Sequence, residues 1–158
     1  MKTPAVDRMP ESKLRAPKDP RALLVFFLSA GLVLTADLTL KYLAFTHVAG
    51  SRVELTRQNA GLAQTIPKHD PIVLVPYVLS LKLTTNIGAV FGLGKGAQPL
   101  FIVVSVLAVV FILYSFWRSR AGAILLHVAL ALVLSGALGN LYDRLRYNAV
   151  RDMLWLLP

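Results

Sequence analysis

The stretch Gly136-Ala-Leu-Gly-Asn-Leu-Tyr-Asp-Arg144 closes a long apolar segment that begins at Ala121. Within a few residues the chain changes from hydrocarbon side chains to an amide, a carboxylate and a guanidinium, and Asp152 follows shortly after. Ionisable side chains at the edge of a lipid-compatible segment are energetically costly, so a cluster of them indicates a functional site. The stretch therefore predicts a membrane helix bundle with a polar site at one end.

The rest of the chain also has the composition of a membrane protein. Hydrophobic residues make up 56% of the 158 positions, above the roughly 45–50% of an average soluble domain. Residues 22–45 and 121–141 are apolar and long enough to cross about 30 Å of hydrocarbon at about 1.5 Å per residue, and the apolar residues 100–117 reach about 27 Å. We therefore expect three membrane-spanning helices. A cleaved signal peptide is a weaker interpretation of the first segment, because further spans follow it.

Two regions outside these spans are polar. Residues 1–21 are basic and broken by prolines, which predicts a disordered tail. Residues 50–85 contain two segments, Val53–Leu55 and Leu79–Thr84, in which apolar and polar residues alternate as in strands with one wet face. We expect a small antiparallel sheet there, as part of a single membrane domain that covers residues 22–158.

The basic residues predict how the chain crosses the membrane. There are 17 Lys and Arg against 8 Asp and Glu, and the tail and the short turn at Arg118–Arg120 are both basic. Cytoplasmic loops of membrane proteins carry such an excess, so the N-terminus is expected in the cytoplasm and the polar site on the opposite side. Basic and aromatic residues are not interleaved as in a nucleic-acid groove, so no nucleic acid is expected as a partner.

Several polar residues could act at the predicted site. Asp37 and Lys41 lie four residues apart on one face of the first span, which suits either a structural ion pair or a pair that positions a substrate. Asn86 and Gly88 stand where the chain re-enters the membrane. The amide of Asn86 could bind exposed backbone, although a simple turn explains this pair equally well.

The end of the third span offers further candidates. Gly136 and Gly139 are expected to let this helix pack closely against a neighbour. Asn140 and Arg144 share a helical face, if the helix continues, and could bind a carbonyl or a carboxylate.

Asp143 and Asp152 suggest one chemistry in particular. Two carboxylates that share a proton can activate water and protonate a carbonyl, as in aspartic proteases. This chemistry needs no metal or cofactor. Cysteine is absent, and the three histidines have no ligand spacing, so no metal site is predicted. From the residues alone Asp143 and Asp152 are the tempting pair, although Asp143 beside Arg144 also fits a structural salt bridge.

Taken together, the motifs resemble the lipoprotein signal peptidase family, also called signal peptidase II. The resemblance covers residues 22–157 and is specific because four motifs occur in the family's order. They are Asp37-x-x-x-Lys41, Thr85-Asn86-x-Gly88-Ala-x-Phe91-Gly, Gly136-Ala-x-Gly139-Asn140-x-x-Asp143-Arg144 and Val150-x-Asp152.

The resemblance implies a fold and an activity. The family has four transmembrane helices with cytoplasmic termini and a small extracytoplasmic β-cradle. Its members are aspartic endopeptidases of the bacterial inner membrane that remove signal peptides from diacylglyceryl-modified prolipoproteins. Substrate and bilayer lipids are the implied partners, no cofactor is required, and a monomer is expected.

The resemblance also implies residue roles. Asp152 matches the first catalytic aspartate. Among the other matched residues, Asp143 has a supporting role and not a catalytic one. The residues that line or support the site are Asp37, Lys41, Asn86, Gly88, Asn140, Asp143 and Arg144.

The sequence departs from the family pattern at two places. Asn148 stands where glycine is usual, a mild change because Asn tolerates left-handed backbone. The family's second catalytic aspartate lies in a Phe-Asn-x-Ala-Asp motif before a fourth span, and the 158 residues end at Pro158, before that motif. We therefore expect a fragment of a longer chain. The alternative is a non-catalytic membrane protein that binds lipidated precursors through Asn86, Asn140 and Arg144.

Overall fold

Three long helices form the framework of the protein. The computed structural model describes residues 14–62, 64–88 and 98–157. The helices within these ranges are α1 (Pro20–His47), α2 (Gln98–Arg118) and α3 (Ile124–Tyr147). Each is long and apolar enough to cross a membrane, so the three predicted spans are confirmed with somewhat different bounds.

Helix α3 packs against both of the other helices. At the end of the bundle where α1 begins, Phe26 of α1 stacks on Phe116 of α2, with ring centroids 4.1 Å apart. His127 of α3 meets Phe116 edge-on at 5.1 Å, and we call these three side chains the aromatic cluster. Nearby, the buried Ser135 hydroxyl of α3 donates to the carbonyl of Ala30 in α1. Helices in lipid associate through such packing and hydrogen bonds.

The prediction of a disordered tail over residues 1–21 is wrong for its last part. Residues 1–13 lie outside the described residues, but Ala16–Lys18 form a 3-10 turn and α1 already begins at Pro20. The backbone N–H of Ala16 donates to the carbonyl of Ser119, and Ala121 donates to Leu14. The turn between α2 and α3 thus supplies the backbone partners that hold this segment in place.

The third helix extends further than predicted. It begins at Ile124 and ends at Tyr147 rather than at Leu141, so Asp143 and Arg144 lie in its last turn. Asn148 ends the helix in the left-handed conformation, with φ of 61°, and its N–H donates to the carbonyl of Arg144. The resemblance noted above implies glycine at this position, and Asn is a common substitute in such a cap.

An antiparallel sheet covers the opposite end of the bundle. Its strands are β1 (Ile72–Val75), β2 (Leu79–Asn86) and β3 (Val150–Leu156), in the order β1-β2-β3. The predicted strand over Leu79–Thr84 is confirmed as part of β2. In the register of β2 and β3, Thr84 lies opposite Asp152 and Asn86 lies opposite Val150.

The strand predicted at Val53–Leu55 is wrong. This segment has no strand partner within the described residues, because its backbone groups bond elsewhere. Val53 donates to the carbonyl of Phe45 at the end of α1, and the Asn59 side chain bonds the carbonyl of Glu54. The alternation reflects the packing of Val53 and Leu55 on the apolar core that also contains Phe45.

Candidate active site

The predicted polar residues converge at the end of the bundle covered by the sheet. Helices α1 and α3 both end there, and β3 contacts both of them. The C-terminal half of α1 supplies Asp37 and Lys41, whereas α3 supplies Asn140, Asp143 and Arg144. Asn86 ends β2 and Asp152 lies near the start of β3. Residues far apart in the sequence thus form one cluster.

Asp143 is the centre of this cluster. Its side chain is fully buried, with 0% of its surface exposed. Oδ1 accepts from Nε of Arg151 at 2.9 Å and lies 2.8 Å from Nη2 of the same side chain. Oδ2 accepts from the backbone N–H of Arg151 at 3.1 Å and lies 3.2 Å from Nζ of Lys41. Asp143 therefore joins β3 to both α3 and α1.

The ion pair expected from the spacing of Asp37 and Lys41 is present. Nζ of Lys41 lies 2.9 Å from Oδ2 of Asp37 and is also within ion-pair distance of Asp143. Asp37, Lys41, Asp143 and Arg151 form what we call the charged quartet. Its two carboxylates and two cations balance, which is the condition under which buried charges are tolerated.

Gly139 makes room for the charged quartet. A Cβ atom at this position would collide with the carboxylate of Asp37 and lie 3.7 Å from Nζ of Lys41. Gly136 differs, because a Cβ atom there meets nothing within 4 Å. The close approach predicted for both glycines is therefore present at Gly139 alone, and it accommodates a charged side chain rather than a helix backbone.

Asp152 is placed next to the charged quartet but is not part of it. Successive side chains of a strand point to opposite faces, so Asp152 faces away from the side on which Arg151 meets Asp143. In the described part of the chain its carboxylate has no hydrogen bond or ion pair. Burial raises the pKa of Asp152, partly offset by the charges of Lys41 and Arg144, while Asp143 and Asp37 add to the increase.

Arg144 approaches Asp152 from α3. It is half-buried, and its guanidinium lies over the ring of Phe101 in α2, with 5.4 Å between Cζ and the ring centroid. Its Nε atom is buried without a hydrogen-bond partner among the described residues. Asn140 lies one helical turn earlier on the same face of α3 and is also half-buried. Arg144 thus places a guanidinium beside the carboxylate, and Asn140 carries an amide on the same face of α3.

Asn86 and Gly88 border the site from β2. The Oδ1 atom of Asn86 accepts a hydrogen bond of 2.9 Å from the N–H of Gly88, which closes a tight turn after the strand. Asn86 and Thr84 are two residues apart and share a face of the sheet, and Thr84 is the register partner of Asp152. The turn that the sequence allowed here is present, and it lies on the strand next to Asp152.

Two functional contacts were missed from the sequence. No role was predicted for Arg151, although it binds Asp143 through both its backbone and its side chain. Gln98 was not considered at all. Its Nε2 atom donates to the carbonyls of Ile87 and Asn148, at 3.0 and 2.6 Å. The position of Gln98 at the start of a span gave no local signal of these distant partners.

The arrangement offers proton chemistry at a carboxylate. Within the described ranges, no group of three or more His, Asp or Glu side chains is close enough to hold a metal ion. Two of the three clustered aspartates are fixed by cations, and the third is half-buried and has no ion-pair partner in the described part of the chain. A carboxyl group whose pKa is raised by burial keeps its proton to a higher pH than a free carboxyl group does.

The fold and site define a class of protein: a membrane protein with at least three apolar helices, and with a carboxylate cluster under a small sheet. Comparison with known sequences specifies the family. The profile of the family described as signal peptidase (SPase) II matches residues 29–157. The chain belongs to the signal peptidase II family.

Individual relatives agree with this assignment. Lipoprotein signal peptidases from Enterococcus faecalis and Syntrophus aciditrophicus are 34% and 32% identical to this chain, each over 85% of its length and over 72% and 75% of their own. The lipoprotein signal peptidase of Symbiobacterium thermophilum is 38% identical over 59% of this chain and 61% of its own length. The chain thus spans about three fifths to three quarters of these relatives.

Solved structures share the fold. A bacterial membrane enzyme determined by the in meso method at 2.3 Å resolution matches with a TM-score of 0.62 and 24% identity, covering 82% of this chain and 68% of that one. A second, at 1.9 Å, matches with a TM-score of 0.60. These likenesses establish that the arrangement of helices and sheet occurs in membrane enzymes.

Proposed function

We propose that this protein is a membrane aspartic endopeptidase that removes signal peptides from diacylglyceryl-modified prolipoproteins. Asp152 supplies one of the two catalytic carboxylates. One observation carries the assignment: Asp152 is half-buried beside Lys41 and Arg144, yet its carboxylate has no ion pair or hydrogen bond within the described residues. A carboxylate held beside cations but not bound by them is available to a substrate or to water.

The geometry gives Asp152 a different role from the other clustered aspartates. Both oxygens of Asp143 already accept hydrogen bonds from Arg151, and Asp37 is paired with Lys41. A carboxylate already bound by cations in this way is not free to contact a substrate or water. We therefore assign Asp143 and Asp37 to support, and we assign the second catalytic carboxylate to none of the described residues.

The proposed reaction is hydrolysis of one peptide bond. An ionised carboxylate takes a proton from water as the oxygen attacks the scissile carbonyl, and a protonated carboxyl donates to the carbonyl oxygen. The carbon–nitrogen bond then breaks, and the new amine takes up a proton. The raised pKa of Asp152 suits it to carry the proton in this exchange. Two carboxylates are needed, so Asp152 acts with a partner.

The residues around Asp152 suit an extended peptide. Asn86, Asn140 and Arg144 carry donors for backbone carbonyls and lie on two elements near the carboxylate, β2 and α3. The helices expose apolar surface along their length, for example at Leu40 and Leu43 of α1. A substrate with a lipid and a hydrophobic signal segment would enter sideways from the bilayer, since both of its apolar parts are already there.

The same proposal places the protein in the bacterial inner membrane as a monomer. The segment before α1 and the turn between α2 and α3 are basic and bound to each other at one end of the bundle. Positive residues favour the cytoplasmic side, so this end faces the cytoplasm and Asp152 faces the extracytoplasmic side.

The test is the Asp152→Asn variant of the complete coding sequence, expressed in membranes and supplied with a lipidated precursor. Cleavage followed by gel mobility or mass is expected to fall by a factor on the order of 10³ or more, because one member of a catalytic unit is lost. Asp70→Asn is the matched control: Asp70 is an exposed carboxylate in the loop before β1, and its variant should cleave at the wild-type rate.

Retained turnover in Asp152→Asn would remove Asp152 from the mechanism. A wild-type protein that binds the lipidated precursor without cleaving it, and does so equally well after Asp152→Asn, would instead indicate a binding protein on the same scaffold.

A further inference from the structure

Gln98 connects two parts of the candidate active site that lie far apart in the sequence. It is the first residue of α2, and only 6% of its surface is exposed. Its Nε2 atom donates two hydrogen bonds, to the carbonyl of Ile87 at 3.0 Å and to the carbonyl of Asn148 at 2.6 Å. Both hydrogens of the side-chain amide are therefore used, and each goes to a different element of the site.

The two acceptors flank the residues proposed to act on the substrate. Ile87 lies between Asn86 and Gly88, in the turn closed by the Asn86 side chain. Asn148 is the left-handed cap that ends α3 and precedes β3, the strand of Asp152. A change at the amide of Gln98 would therefore alter the spacing between this turn and the start of β3.

The donor function explains why an amide is buried here. The Oε1 atom of Gln98 is buried and has no hydrogen-bond partner among the described residues, which is a cost that an apolar side chain would avoid. The two carbonyls would in turn be left without these donors if the amide were absent. The contribution of this residue thus lies in its N–H groups, and few side chains other than glutamine supply two from one atom.

We propose that Gln98 is a positioning residue, whose amide couples the Asn86–Gly88 turn to the start of β3 and so fixes where the Asp152 carboxylate stands relative to a bound peptide. The proposal rests on the proposed peptidase function for its kinetic test, but not for its structural one. Gln98 touches neither the substrate nor the reacting carboxylate, so it acts through the backbone at Ile87 and Asn148.

The kinetic test compares Gln98→Ala with Gln98→Glu in the complete protein. Loss of the amide is expected to lower kcat by roughly 10–100-fold with little change in KM, as misplacement of a catalytic group by about 1 Å can do. In Gln98→Glu the ionised carboxylate cannot donate, but its protonated form can donate to one of the two carbonyls. Its activity relative to wild type should therefore rise as the pH is lowered, whereas that of Gln98→Ala should not.

Gln58→Glu is the matched control, since Gln58 is exposed in a turn of the 57–61 segment. Its activity relative to wild type should stay near unity at every pH. If Gln98→Glu and Gln98→Ala are equally active at all pH values, or if both retain wild-type kcat, the positioning role is wrong.

Hydrogen–deuterium exchange separates this proposal from the proposed function. In Gln98→Ala the backbone amides of residues 86–88 and 148–151 should exchange faster than in the wild-type protein, while those of Ala22–Ala30 in the aromatic end of α1 stay unchanged. Faster exchange throughout all three helices would mean that Gln98 only stabilises the fold, and unchanged exchange would mean that it couples nothing. A wild-type protein without peptidase activity would overturn the proposed function and leave this exchange result to decide the role of Gln98.

Discussion

The two ends of the helix bundle are held together by different interactions. At the end where α1 begins, the aromatic cluster and the neutral hydrogen bond from Ser135 join the helices. At the other end, α1, α3 and β3 meet through the charged quartet, whose members neutralise one another in a buried setting. The loss of a neutral hydrogen bond between helices costs little in lipid, whereas a buried charge that loses its partner is strongly destabilising. The end that carries the candidate site is therefore expected to lose more stability when one of its polar side chains is replaced.

Breaking the charged quartet is expected to produce the largest effect. Asp143→Asn removes one of two negative charges and leaves Lys41 and Arg151 with Asp37 alone. The free energy of unfolding in detergent should fall by about 3–5 kcal/mol, the usual cost of an unpaired buried charge. Titration with a denaturing detergent, followed by circular dichroism, measures it.

The matching change at the aromatic end is Ser135→Ala. The hydroxyl of Ser135 is as fully buried as the carboxylate of Asp143, but its hydrogen bond is neutral, so a loss of about 0.6 kcal/mol is expected. Equal losses of unfolding free energy in Asp143→Asn and Ser135→Ala would show that buried charges do not make one end of the bundle more sensitive than the other.

A second prediction uses the two glycines of α3, which differ in their surroundings. Gly139→Ala places a methyl group against the Asp37 carboxylate and should cost about 1–3 kcal/mol of stability, as overpacking does. Gly136→Ala adds its methyl group in open space and should stabilise the helix by roughly 0.5–1 kcal/mol. Thermal unfolding of the two variants, side by side, is the measurement. A loss of stability in Gly136→Ala similar to that in Gly139→Ala would exclude the contact with Asp37 as the cause.

The smallest expected effect concerns the pH dependence of stability. Burial raises the pKa of Asp152, so the folded protein binds this proton more tightly than the unfolded chain does. Its contribution to stability is complete below the unfolded pKa and is lost as the pH rises through the folded pKa. Asp152→Asn should therefore be more stable than wild type at neutral pH, and the difference should shrink on acidification. Melting temperatures of both proteins across the acidic range test this, and a difference independent of pH would contradict it.

The parts of the fold that were predicted from the sequence are those encoded locally. The three spans follow from apolar runs, and β2 follows from the alternation over Leu79–Thr84. The Asp37–Lys41 pair follows from helical spacing alone. Local patterns did not distinguish Asn86 and Asp152 from other polar residues as members of the site, whereas the motifs of the family resemblance did.

The parts that were missed depend on distant partners. Strand β3 has two adjacent charged residues, Arg151 and Asp152, which break the alternation that reveals a strand. Val53–Leu55 shows the alternation but bonds to α1 and to Asn59 instead of a strand. Gln98 and Arg151 have partners on other elements or beyond a helix cap, so nothing next to them in the sequence indicates their contacts.

The pairing within the charged quartet also bears on how the chain enters the membrane during synthesis. Asp37 and Lys41 emerge from the ribosome together, long before Asp143 and Arg151 are made. Because Asp37 and Lys41 are an acid and a base on the same helix, α1 can enter the lipid phase with these two side chains as a neutral unit. Insertion of a lone charge at the middle of a helix costs roughly 2.5–3.5 kcal/mol. The order of charges along the chain thus lets biogenesis proceed before the site has been assembled.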